Sequence, residues 1–149
     1  MKLRKEQNSG IELIEHTADI GLILNGKDLK SLFKNAALGL FQILADIKKI
    51  KPLLEIKILV EEDNLEFLLV RFLQEIVYIS ETQEMAFKDI TIEDIKKTAS
   101  RWSISSALKA EPFETSRRRL KTSVKAVTYH NLYIKKTGAG YQARVIFDV

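Results

Sequence analysis

With 149 residues, 46% of them hydrophobic and 30% charged, the chain is long enough for one well-buried core and short for two. It holds no cysteine, which excludes a disulfide framework, thiolate metal ligation and a cysteine nucleophile, and makes cytoplasmic residence the expectation. The net charge of +4 is unevenly spread: from Arg101 onward there are ten Lys or Arg against three acids, and before it fourteen against seventeen.

In chain order, "MKLRKEQNSG" is polar and basic, so residues 1 to about 10 are expected as a flexible, solvated lead-in to a single domain spanning 1–149. It lacks the apolar stretch of a signal peptide, and no run approaches the roughly 20 apolar residues that span a membrane, so no membrane partner is expected. "IELIE" reads as a strand, breaks at His16 to Asp19, and resumes as an apolar strand from Ile20 to Leu24. Leu29, Leu32, Phe33, Ala36, Ala37, Leu40, Phe41 and Leu44 then recur at helical spacing, predicting an amphipathic helix over roughly 28–47 with Asp28 as its N-cap. A second helix, "DNLEFLLVRFLQEIVYISETQ", gathers Leu65, Leu68, Leu69, Phe72, Leu73, Ile76 and Ile79 on one face, and Asp63 with Glu66 three residues later suggests a capping box.

The remainder reads as strands: "LEIKILVE", "FKDITIED" and "SRWSISSALKA", then "SVKAVTYHNLYIKK" and "YQARVIFDV" joined by "TGAG" as a hairpin. This order predicts an α+β fold in which two amphipathic helices pack on one face of a largely antiparallel or mixed sheet. Phe67, Tyr78 and Trp102 are expected to be packing residues.

Little here is arranged for catalysis. There is no glycine-rich phosphate loop, nucleophile elbow or metalloprotease helix motif, and two histidines, His16 and His130, cannot build a multi-histidine zinc site. Asp19 is either a turn former or a placed carboxylate. Asp19, Asp148 and the carboxylate of Val149 are three anionic oxygen groups beside apolar strands, and they converge if the first and last strands are neighbours. Such a set suits a hard cation; without one, the groups repel. Lys125 is a candidate to offset that charge, or else an ordinary exposed lysine. Arg117, Arg118 and Arg119 face phosphates, an acidic protein partner, or only water.

Five ordered blocks carry a resemblance: "EHTADIGL", "LFKNAALGLFQIL", "DNLEFLLVRFLQEIVY", "VKAVTYHNL" and the final "VIFDV". Together, over about residues 11–149, they resemble the archease family. The resemblance implies a small α+β protein without independent catalytic activity. Such a protein assists an RtcB-type RNA ligase in tRNA splicing and RNA repair by promoting ligase guanylylation and multiple turnover. It further implies a metal-binding acidic site on Asp19, Asp148 and the Val149 carboxylate, with Lys125 in activation. The expected cofactor is a divalent metal, calcium first and magnesium or manganese as alternatives; any tRNA contact would be indirect. The stretch Lys109–Lys121 lacks the Gly-Glu of the family pattern and is more basic, which bears on partner contacts rather than on the site blocks. The competing reading is an RNA-binding or chaperone module for tRNA processing that uses the basic C-terminal third. A metal-dependent enzyme is disfavoured, because no nucleophile or base surrounds the acids.

Overall fold

The computed structural model describes residues 2–5, 10–15, 18–112 and 121–149, with residues 2–5 and Glu15 described by their backbone alone. Eight strands and two α-helices follow in the order β1 (Lys2–Lys5), β2 (Ile11–Glu15), β3 (Asp19–Gly26), α1 (Leu29–Leu44), β4 (Leu54–Glu62), α2 (Leu65–Thr82), β5 (Met85–Thr98), β6 (Arg101–Pro112), β7 (Ala126–Thr137) and β8 (Gly140–Asp148), with a short 3-10 turn at Ile47–Lys49. The α+β class and both helices stand as expected. The strands, however, form two sheets, a five-stranded one ordered β1-β2-β3-β8-β7 and a three-stranded one ordered β4-β6-β5, and every pairing in them is antiparallel.

The lead-in is corrected in part: Lys2–Lys5 pairs along β2 as an edge strand, with Lys2 opposite Glu15 and Lys5 opposite Glu12. A short strand rich in Lys and Arg can occupy a sheet edge, because its charges discourage further strand addition.

Helix α1 starts where the sequence places it. The Asp28 carboxylate accepts hydrogen bonds from the Ser31 backbone N–H at 2.8 Å and the Ser31 hydroxyl at 2.7 Å, and these hold its carboxyl below the usual carboxylate range. The start of α2 differs from expectation. Asn64 is its N-cap, accepting from the Phe67 N–H at 2.8 Å, while Asp63 lies one residue outside and pairs with Arg101 at 2.7 Å. Either side chain can cap a helix, and the one in register with the third helical N–H does so.

Each helix touches both sheets: α1 packs against β3 and β5, and α2 against β7 and β4. Phe33 of α1 meets Phe72 of α2 with ring centroids 6.0 Å apart, and Phe41 stacks on Phe87 of β5 at 5.2 Å. All four rings are buried. Helix α1 lies close on β3 because Gly39 has no side chain; a Cβ there would stand 2.7 Å from Leu22 Cδ1. Among the expected packing aromatics, Trp102 is packed against the core. Phe67 and Tyr78 are instead 45% and 60% exposed.

Candidate metal centre

Strands β3 and β8 begin and end in the same place. Their antiparallel register sets Asp19 directly opposite Asp148, then Ile20 opposite Phe147 and Leu22 opposite Val145. Alternation sends Leu22, Leu24, Val145 and Phe147 into the core and leaves Asp19 and Asp148 on the outer face. Directly opposed residues on one face bring their Cβ atoms to about 4.5–5.5 Å, where like charges destabilise the pair unless something offsets them. Asp148 is exposed and Asp19 half-buried.

The backbone around this pair is tied down. The Val149 N–H donates to the Ala18 carbonyl at 3.2 Å, and the Lys125 N–H donates to the Asp148 carbonyl at 2.8 Å. On the other side of Asp148, Ala126 is its register partner on β7. All four residues expected to act together, Asp19, Lys125, Asp148 and Val149, therefore meet at one end of the five-stranded sheet. The Lys125 side chain is exposed and forms no ion pair with either carboxylate.

The donor chemistry suits a hard cation: two side-chain carboxylates face each other, and the chain has no thiolate. Among the described residues no three His, Cys, Asp or Glu side chains gather as a metal-holding group. His16 and the run Arg117, Arg118 and Arg119 lie outside the described residues.

Behind the acids the outer face opens into a cleft of about 260 Å³ lined by Ile14, Asp19, Gly21, His130, Asn131, Arg144 and Ile146. His130 and Asn131 reach it from a break in the β7–β8 ladder, where Thr128 faces Ile146 and the next pair is Tyr133 with Arg144. The sequence contains a signal for this break. The run before "TGAG" is longer than the run after it, and a surplus on one strand of a hairpin is taken up by a bulge or by an overhang.

The model of the Archease protein family (MTH1598/TM1083) matches residues 11–149. The chain is 34% identical over 143 residues to protein archease of Methanosarcina mazei, covering 96% of this chain and 98% of that one. It is 35% identical over 139 residues to protein archease of Thermococcus gammatolerans, covering 93% and 97%. Among solved structures, the solution structure of Protein 1598 from Methanobacterium thermoautotrophicum superposes with a TM-score of 0.78 at 27% identity, covering 94% of this chain and 99% of that one. An archease from Thermotoga maritima, described as a possible chaperone, shares the fold at a TM-score of 0.57 and 22% identity, over 100% and 99% of the two chains.

Proposed function

Because this chain belongs to the archease family, we propose that it is a non-catalytic protein cofactor of an RtcB-type RNA ligase in tRNA splicing and RNA repair. It promotes guanylylation of the ligase and its repeated turnover. The observation that carries this reading is the register of Asp19 against Asp148, with Val149 anchored beside Ala18. Two acids placed face to face with no cation between them are unfavourable, and the arrangement is explained by a divalent ion that they hold. Calcium is the first choice, since it accepts irregular sets of six to eight oxygens; magnesium and manganese accept the same donors in a stricter geometry. When bound, the ion supplies positive charge at the end of the sheet that would meet the ligase.

The chain's own residues have separate parts in this reading. Asp19 and Asp148 hold the ion, and the Val149 carboxylate completes the oxygen set. Lys125 is left free to meet an anionic group of the ligase or its nucleotide. Among the described residues no nucleophile is arranged around the acids, and this reading assigns the chemistry to the ligase.

The test is guanylylation and multiple-turnover joining by the cognate ligase, with this protein added in catalytic amounts. The protein alone is expected to leave RNA unchanged and to raise the ligase's product yield. No change in ligase rate across a broad titration would overturn the proposal.

A further inference from the structure

The cleft behind the acids contains a cation that is in no ion pair among the described residues. Arg144 is half-buried on the outer face, and its guanidinium makes no ion pair or hydrogen bond among the described residues. The acid that lines the same cleft is out of reach. Asp19 and Asp148 are register partners, as are Ile23 and Arg144, and the two pairs are four residues apart, about 13 Å along the strands. A half-buried guanidinium loses hydration, and where it has no protein partner an anion can supply one.

The surroundings form a receptacle rather than a bare surface. Gly21 sits on the floor between Ile14 and Ile146; a Cβ there would meet Ile14 Cβ at 3.7 Å and Ile146 Cγ1 at 3.8 Å, so the missing side chain keeps the floor low. The wall is the β7 bulge. It is held by the Thr128 hydroxyl, which donates to the Ile146 carbonyl at 3.0 Å and accepts from the His130 N–H at 3.3 Å. At its crest Asn131 takes φ 53°, a left-handed conformation that Asn tolerates better than most residues. The bulge thereby presents an imidazole and a carboxamide, both able to donate hydrogen bonds, beside the free guanidinium.

We propose that this cleft is a phosphate-binding site, in which Arg144 grips two terminal oxygens of a phosphate monoester while His130 and Asn131 donate to the third. A phosphate monoester fits better than a carboxylate because it carries more negative charge and has a third terminal oxygen, outside the plane of the guanidinium fork, for the donors on the bulge. The proposal goes beyond the ligase reading above and does not depend on it: Asp19 lines one edge of the cleft, but the anion is gripped by Arg144, His130 and Asn131, and the test uses neither metal nor ligase.

The experiment is a titration of the full chain in EDTA with inorganic phosphate, adenosine 5′-monophosphate and acetate, followed by calorimetry and by the amide resonances of Gly21, Asn131 and Arg144. Phosphate and the mononucleotide should bind and move these resonances, and acetate should not. Equal affinity for the two phosphates assigns recognition to the phosphate alone; tighter binding of the nucleotide adds the nucleoside to the site. Arg144→Met keeps the apolar stem and should weaken binding by about tenfold or more, with Arg144→Lys intermediate. Gly21→Val raises the floor without touching a charged group, and valine suits a strand, so this variant should fold and lose phosphate binding. Absence of phosphate binding at millimolar concentration, or undiminished binding in both Arg144→Met and Gly21→Val, would overturn the proposal.

Discussion

The two sheets differ in how their inner strand pairs treat charge, although at the edge of the five-stranded one Lys5 lies opposite Glu12. On the three-stranded sheet, cross-strand charges are matched. Glu55 lies opposite Lys109 and pairs with it at 2.8 Å, Lys57 reaches Glu93 at 3.5 Å, and Arg101 bridges to Asp63 at 2.7 Å and Glu61 at 4.0 Å. On the five-stranded sheet Asp19 lies opposite Asp148, and Arg144 has no partner among the described residues. Both sheets follow the same alternation and cover the same two helices, so folding does not explain the difference. Exposed ion pairs contribute only about 0–1 kcal/mol each, which means a sheet gains little by matching charges and loses little by leaving them unmatched. Stability therefore does not decide the arrangement of either face, and the proposed ligands on the five-stranded sheet can be tested separately from the fold.

The largest expected effect comes from removing that mismatch. Asp19→Asn or Asp148→Asn should reduce ligase stimulation to the level seen without the protein. Metal-free stability should be unchanged or raised by about 0.2–1 kcal/mol as the cross-strand repulsion is relieved, read as the midpoint of urea unfolding. A variant that loses stability and keeps stimulation would place the acids among structural groups. Lys125→Ala should give a partial loss of stimulation with an unchanged melting curve, because the side chain is exposed and its backbone bond to Asp148 is retained. Full stimulation would return Lys125 to an ordinary surface lysine.

The matched sheet provides the converse. Lys109→Glu recreates the acid-opposite-acid arrangement against Glu55. It should destabilise by about 1 kcal/mol or less, with ligase stimulation intact. Loss of stimulation here would mean that the two faces are not functionally distinct.

The smallest effect lies at the cap of α1. The Ser31 hydrogen bonds hold the Asp28 carboxyl below its unfolded value, so its ionised form adds stability at pH above the unfolded carboxylate range. That contribution is lost as pH falls through the lower folded value. Asp28→Asn keeps an accepting oxygen and should flatten this part of the acid side of the stability profile, with the effect kept small by solvent screening at an exposed cap. An unchanged acid limb in urea melts would show that the cap does not depend on the charge.

Much of this was legible in the sequence because it rests on period. Both helices and the strands of the terminal hairpin follow from spacing, and Asp28 follows from its position ahead of an apolar helical pattern. Division into two sheets does not follow, since alternation is the same whichever strand lies alongside. It is decided by the long-range pairing of β3 with β8, which joins residues over a hundred positions apart. The convergence of Asp19 and Asp148 hangs on that same pairing, and the sequence could state it only as a condition. Phe67 and Tyr78 show another limit: helical spacing marks the apolar stripe, but the width of what covers it belongs to the tertiary fold, and both rings lie at the uncovered margin. Phe67 instead meets Tyr129 of β7 edge-on at 5.3 Å. The isolation of Arg144 depends on which groups surround it in space, which strand periodicity does not encode.

Whether the opposed acids of β3 and β8 hold a divalent ion can be read by calorimetric titration with calcium. The unaltered chain should bind calcium, Asp19→Asn and Asp148→Asn should each weaken binding by at least about tenfold, and a C-terminal extension beyond Val149 should weaken it while an N-terminal extension of equal length does not. Equal calcium affinity in the unaltered chain and both Asn variants would contradict the proposed metal site.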